Sequence, residues 1–72
     1  MAEFIGKGPY LEYSSVIKLN EPVRVSEIAS LLSLPDSLAS SFIAVRNHCA
    51  IYEKDLIYDD DVVFLYLAVM GG

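Results

Sequence analysis

The sequence predicts a two-layer α+β domain, in which one main helix crosses a mixed sheet of about four or five strands. Its 72 residues suffice for a single domain with one thin core. They are 54% hydrophobic, so a globular fold is expected rather than disorder. Only one segment has apolar residues at the spacing of a helix, whereas several short stretches have the pattern of strands. The most apolar stretch comes last in the chain.

The first strands are predicted near the start of the chain. "AEFIG" at 2–6 is a short stretch with an apolar centre, and Gly6, Gly8 and Pro9 interrupt it. "YSSVIKL" at 13–19 is the second extended candidate, since it contains β-branched residues, and "NEPV" ends it. The two stretches predict a hairpin with a connection of several residues.

The helix is predicted in "VSEIASLLSLP" at 25–35. Ser26 is the expected N-cap, and Glu27 in the first turn suits the helix dipole. Pro35 is expected to end the segment after about two to three turns, because the residue before proline avoids the helical region. The spacing i, i+3, i+4 predicts an apolar stripe that faces the sheet, formed by Ile28, Leu31 and Leu32.

A second hairpin is predicted after the helix. "FIAV" at 42–45 and "AIYE" at 50–53 read as strands, and "RNHC" at 46–49 reads as their turn. Asn47 fits that turn, because asparagine accepts a positive φ more readily than most residues.

The last strand is predicted to be the central one. The run Asp59, Asp60, Asp61 marks a turn, and "VVFLYLAV" at 62–69 follows it. This stretch has few polar atoms on either face, which is typical of a strand in the middle of a sheet.

Charge and composition exclude several classes of function. The net charge is −5, and the five basic residues are scattered, so we expect no nucleic-acid partner; an acidic surface suits a basic protein partner instead. The longest apolar run, 62–70, is about half a membrane span, and Glu3 stands where a signal peptide would be basic, so we expect no membrane partner. The single cysteine excludes an internal disulfide and a zinc cluster and fits a cytoplasmic location.

No residue pattern inside the domain predicts an active site. His48 and Cys49 are neighbours that point to opposite faces in an extended segment, and in a tight turn they have no evident third group to orient them. A turn histidine and a small apolar cysteine are therefore expected rather than a catalytic dyad. The three aspartates lack the alternating spacing of calcium loops, and a solvated turn is expected there, with no metal. No nucleotide-binding motif is present, so the chain is expected to be no enzyme and to bind no cofactor.

The chain ends in "LYLAVMGG", which predicts a tail over about 68–72 that projects from the domain. Glycines lack side chains, so such a tail can thread a narrow channel in another protein. They also leave the terminal carboxylate unhindered for activation. The alternatives are a frayed end and an artificial boundary of the chain.

Three stretches together resemble the β-grasp (ubiquitin-like) sulfur carriers of thiamine and molybdopterin biosynthesis. They are "VSEIASLLSLP", "AVRNHCAI" and "IYDDDVVFLYLAVMGG", and the likeness covers about 25–72, the first hairpin matching by order alone. The chain departs from the family pattern at Arg46 and Asn47, where asparagine and glycine are usual, and at Asp60, where glycine is usual. Leu67 and Ala68 replace the two prolines frequent in molybdopterin carriers, which favours the thiamine type.

The resemblance implies a single β-grasp domain over 1–72 that serves as a carrier and not as an enzyme. Gly72 would be adenylated by a ubiquitin-activating-like adenylyltransferase, which uses ATP, and then converted to a thiocarboxylate. The sulfur would come from a donor of the cysteine desulfurase or rhodanese type and pass to a biosynthetic enzyme. Val69, Met70 and Gly71 would lie in the partner's channel.

Two alternatives stay open. The chain is a ubiquitin-like modifier if Gly72 is joined to a lysine amine instead. It is a plain protein-interaction module if the two glycines have no chemical role.

Overall fold

In the computed structural model, which describes residues 1–68, the last strand lies in the middle of a mixed five-stranded sheet. The strands are β1 Ala2–Gly6, β2 Ser15–Ile17, β3 Val23–Arg24, β4 Phe42–Arg46, β5 Cys49–Ile51, β6 Leu56–Ile57 and β7 Val62–Leu67. Across the sheet the order is β2-β1-β7-β4-β5. Only β1 and β7 are parallel in this sheet; the other neighbours are antiparallel. The predicted α+β class, mixed sheet and central last strand are confirmed.

The first hairpin forms as predicted, with Ala2 opposite Ile17, but its connection contains a helix that the sequence did not indicate. A 3₁₀ helix spans Gly8–Tyr13 and begins with Gly8 at a φ of +56°. Tyr10 on this helix is fully buried, and its hydroxyl donates a hydrogen bond of 2.9 Å to the carbonyl of Leu38. Burial raises the pKa of the Tyr10 hydroxyl, so the group stays a donor.

The predicted main helix begins earlier than expected. A 3₁₀ turn, Val25–Glu27, leads into α1, Ile28–Leu31. The prediction that Ser26 is the N-cap is wrong, because Arg24 holds that position. Its backbone N–H donates to a carboxylate oxygen of Glu27 at 3.4 Å, so the first-turn acid serves the helix start.

The helix also ends before the predicted proline. Ser33 has a φ of +54°, its N–H bonds the carbonyl of Ser30, and the N–H of Leu34 bonds the carbonyl of Ala29. These two bonds form a Schellman ending with serine where glycine is usual. Pro35 instead starts a second short helix, α2, Asp36–Ala39, which was not predicted.

The second hairpin has the predicted turn. Arg46 faces Cys49, and Asn47 and His48 between them have φ values of +54° and +66°. Positive φ at both central residues is the geometry of the two-residue turn that matches the twist of a hairpin. A separate two-stranded sheet, β3 with β6, was not predicted, because strands of two residues are too short to show a period.

The core lies on one face of the sheet, beneath the helices. Its fully or nearly fully buried members come from the 3₁₀ helix Gly8–Tyr13, from the main helix, from the strands and from the connections between these elements: Ala2, Phe4, Tyr10, Leu19, Val25, Ile28, Leu32, Leu34, Ala44, Ile57, Val63 and Leu65. Leu31 packs against this core but is only partly buried. The apolar stripe is therefore Val25, Ile28 and Leu32, because a 3₁₀ first turn repeats every three residues and rotates Leu31 to the margin.

Ile28→Ala should destabilise the domain more than Leu31→Ala. Ile28 is 0% exposed, so its truncation leaves a cavity, and we expect a loss of about 2–5 kcal/mol in the free energy of unfolding. Leu31→Ala should cost about half as much or less, because solvent already reaches that site. Urea unfolding of both variants measures the difference, and an equal loss in the two would contradict the revised stripe.

Candidate functional site

The end of β7, which we call the strand exit, is held on both sides by backbone hydrogen bonds. The N–H of Ala68 donates to the carbonyl of Ser41 at 2.7 Å, and the N–H of Lys7 donates to the carbonyl of Leu65 at 2.9 Å. Leu67 lies opposite Phe42 at the start of β4. The strand is thus paired up to the last residue that the structure describes.

The residues predicted to carry the chemistry follow this exit. Val69, Met70, Gly71 and Gly72 lie outside the described residues, so their predicted roles stay predictions. The described part of the predicted tail is Ala68, which is bonded to the sheet rather than projecting from it.

The sheet face opposite the core is apolar and partly exposed, and we call it the open face. It consists of alternate strand positions, which are apolar except for Glu3 between Val16 and Val62: Glu3, Ile5, Val16, Ile43, Val45, Ala50, Val62, Phe64 and Tyr66. The register places Tyr66 beside Ile43, and Phe64 between Ile5 and Val45, so these five side chains form two neighbouring apolar rows. Val16 is 59% exposed, and Ile43, Val62 and Tyr66 are each slightly above 40%.

Two rings lie at the centre of the open face. Phe64 and Tyr66 have centroids 6.5 Å apart and an interplanar angle of 27°. The ammonium group of Lys7 lies 5.6 Å from the centroid of Phe64, within the range of a cation–π contact. Contiguous apolar surface of this kind marks interaction sites more often than plain solvent-facing surface. The apolar character of β7 on both faces therefore reflects a core on one side and this open face on the other.

The aspartate turn is more than the solvated turn that was predicted. A carboxylate oxygen of Asp61, Oδ2, accepts the N–H of Tyr58 and a guanidinium N–H of Arg46, each at 2.8 Å. The same guanidinium nitrogen donates to the carbonyl of Leu56 at 2.6 Å. Both side chains are about four-fifths buried, so this ion pair ties the second hairpin to the turn before β7. Asp60 is exposed as expected.

Asp59 is also a structural residue. Its Oδ1 accepts the backbone N–H of Leu19 at 2.7 Å, and the amino group of Met1 lies 3.4 Å from Oδ2. The Leu19 N–H, assisted by that amino group, lowers the pKa of the Asp59 carboxyl below its usual value. No local pattern indicates this contact, since the partners are 40 positions apart.

The acid stability of the protein should depend on Asp59. Folding lowers the pKa of this carboxyl, so the carboxylate stabilises the folded protein at pH values above about 4, the pKa of an aspartate in the unfolded chain. This stabilisation is lost as the pH falls through the lower pKa of the folded state. Asp59→Asn keeps an acceptor for Leu19 but does not titrate. We expect its urea midpoint to fall less than that of the wild type between pH 7 and pH values of about 2–3. Parallel pH profiles of the two proteins would contradict the assignment.

His48 and Cys49 do not form a dyad in the described structure. His48 occupies the turn, as predicted, and Cys49 begins β5 with its side chain exposed. No hydrogen bond joins the two within residues 1–68. The Cys49 thiol lies on β5, an edge strand of the sheet.

Two further properties concern residues 1–68 as a whole. No group of three or more His, Cys, Asp or Glu side chains is arranged there to hold a metal ion. Within the same range, no helix has the length and apolar character that a membrane span requires.

Comparison with models of known protein families and with curated protein sequences gives no match to this chain. The functional assignment therefore depends on the residues and geometry described above.

Proposed function

We propose that this chain has the β-grasp fold and acts as a sulfur carrier, whose Gly72 carboxylate is adenylated by a partner enzyme and converted to a thiocarboxylate. The chain itself is then a co-substrate and not an enzyme. The acceptor is a biosynthetic enzyme of the thiamine or molybdopterin type. ATP is used by the adenylating partner, so the carrier needs no bound cofactor.

The strand arrangement supports the fold part of this proposal. The first and last strands, β1 and β7, are parallel neighbours in the sheet. β2 lies beside β1, and β4 followed by β5 lies beside β7. The helical segment between β2 and β4 lies across one face. This is the order of elements that the sequence resemblance implies.

The observation that carries the function is the position of the strand exit. β7 is the central strand, and its backbone bonds continue to Ala68, only four positions before Gly72. An extension of four residues spans at most about 14 Å, so a carboxylate on Gly72 has a limited and defined reach from a rigid sheet. A reaction in another protein's active site depends on accurate placement of the reacting carboxylate, and a short tail on a rigid sheet limits the positions that the carboxylate can occupy.

The open face supports a protein partner that receives the tail. Tyr66 and Ile43 border the strand exit, so a protein that binds the tail can also cover these side chains. We expect the adenylyltransferase to present an apolar surface with basic residues at its rim, because the carrier has a net charge of −5. The same face favours a second candidate function, a plain interaction module.

The proposed chemistry needs nothing from the carrier except its carboxylate. The Gly72 carboxylate attacks the α-phosphorus of ATP, pyrophosphate leaves, and an acyl adenylate forms. Hydrosulfide attacks the acyl carbon and displaces AMP. If a persulfide attacks instead, AMP leaves and an acyl disulfide forms, and a thiol then reduces its S–S bond, which releases the thiocarboxylate and a disulfide of the two thiols. The product is a thiocarboxylate, in which one sulfur replaces one oxygen.

The test is the intact mass of the full chain after incubation with ATP, a ubiquitin-activating-like adenylyltransferase and sodium sulfide. We expect a mass increase equal to the difference between sulfur and oxygen, which disappears when ATP is omitted. Cys49→Ser is the control, because a persulfide on the single thiol would add a whole sulfur atom instead. The variant should gain the same mass as the wild type.

Other outcomes would decide between the alternatives. No change of mass with adenylyltransferases of this class would favour the interaction module. An isopeptide-linked ladder in cells, with no thiocarboxylate, would favour the modifier.

A further inference from the structure

A second surface feature lies on the core side of the sheet, at the edge beyond β4. It is a cleft of about 410 Å³ between the start of the main helix, the end of α2 and the end of β5. Its apolar lining includes Val25, Phe42 and Ile51, and its polar lining includes Ser26, Ser40 and Glu53. We call it the Phe42 cleft.

The Phe42 cleft exists because β4 is longer than its neighbour β5. The two strands pair from Ala44 opposite Ile51 to Arg46 opposite Cys49, and β5 ends there. Beyond Ile51 the chain turns away, with the carbonyl of Tyr52 bonded to Asp55 and that of Glu53 bonded to Ser26. Among the described strands, none therefore pairs with the first two residues of β4 on this side.

The backbone of Phe42 is directed toward the cleft. The carbonyl of Ser41 accepts the N–H of Ala68, directly after β7, and in an antiparallel ladder successive residues direct their N–H and C=O groups to opposite sides. Phe42 thus points its N–H and C=O away from β7, to the side that β5 does not reach. Within residues 1–68, neither group of Phe42 makes a hydrogen bond.

We propose that the Phe42 cleft binds an extended segment of a partner protein, in which an apolar residue is flanked by lysine or arginine. An unpaired N–H and C=O on one strand residue are complementary to one residue of an added strand. The apolar lining suits a side chain next to that residue. Glu53 is the one charged residue among the described lining, so a basic flank completes the fit.

This proposal is independent of the sulfur-carrier function. The cleft opens at the β5 edge on the core side, whereas the open face is on the other side of the sheet, and Ile43 is the one described residue that both surfaces share. A partner in the cleft can therefore bind whether or not the tail is activated.

The test selects short random peptides displayed on phage against the full chain, followed by NMR with one synthetic selected peptide. We expect selected sequences to alternate apolar residues with lysine or arginine. The Phe42 amide should exchange with solvent freely in the unbound protein and about tenfold or more slowly with the peptide bound. The Ile43 amide, which faces β7, should be protected in both states.

Two charge reversals distinguish the cleft from general attraction to an acidic protein. Glu53→Lys should weaken binding of the synthetic peptide about tenfold or more. Glu3→Lys is the matched control on β1, on the opposite face, and should change the affinity by less than about threefold. Three results would overturn the proposal: no peptide is selected, the two variants weaken binding equally, or the selected peptide shifts Phe64 and Tyr66 instead of Phe42.

Discussion

Gly6→Ala should lower the melting temperature by roughly 10–20 °C, the largest stability effect that we expect from a single added methyl group. The backbone of Gly6 is buried beneath the 3₁₀ helix, and a Cβ there would overlap the carbonyl of Tyr10. The Gly6 N–H also donates to the hydroxyl of Ser14 at 2.9 Å, so the strand cannot move away without losing that bond. Overpacking of this kind costs about 1–3 kcal/mol or more.

The control for this prediction lies two residues away. Gly8 has a φ of +56°, but nothing lies within 4 Å of a Cβ built on it. Gly8→Asn should therefore have a small effect, because asparagine tolerates that backbone conformation. Thermal unfolding followed by circular dichroism measures both variants. If Gly6→Ala melted as high as the wild type, the close packing of the 3₁₀ helix on β1 would be wrong.

Deletion of Gly72 should abolish adenylation and leave the melting temperature almost unchanged. The deletion moves the carboxylate back by up to about 3.5 Å. A misplacement of 1 Å can already cost about a hundredfold in a reaction that depends on positioning. The fold should be unaffected, because the buried core of residues 1–68 is formed by side chains between Ala2 and Leu65. Pyrophosphate exchange with the partner adenylyltransferase measures activity, and circular dichroism measures stability.

Two further variants sharpen the test of the tail. One residue added after Gly72 should be as inactive as the deletion, because it places the carboxylate too far forward. Gly71→Val should also be inactive, since a β-branched side chain blocks a narrow channel and stiffens the backbone. Normal sulfur loading of the Gly72-deleted chain would refute the carrier hypothesis and leave the interaction module, for which the open face already provides a surface.

Local patterns in the sequence were enough to predict most of the sheet. The apolar stretch after Asp61 predicted the central strand, and Asn47 predicted a turn with positive φ. The spacing of Ile28 and Leu32 predicted the buried side of the helix. These features depend on the preferences of residues that are neighbours along the chain, so the sequence displays them directly. The predicted chemistry of Gly72 comes from the sequence as well and stays a prediction.

Only the tertiary structure revealed the remaining features, because each depends on partners far apart along the chain. Tyr10 bonds the carbonyl of Leu38 across 28 positions, and Asp59 bonds the N–H of Leu19 across 40. The open face and the Phe42 cleft likewise depend on which strands are neighbours and on where β5 ends. Composition and periodicity predicted the strands and the main helix. The pairing of distant segments decided which apolar side chains stay exposed and which backbone groups stay unpaired among the described residues.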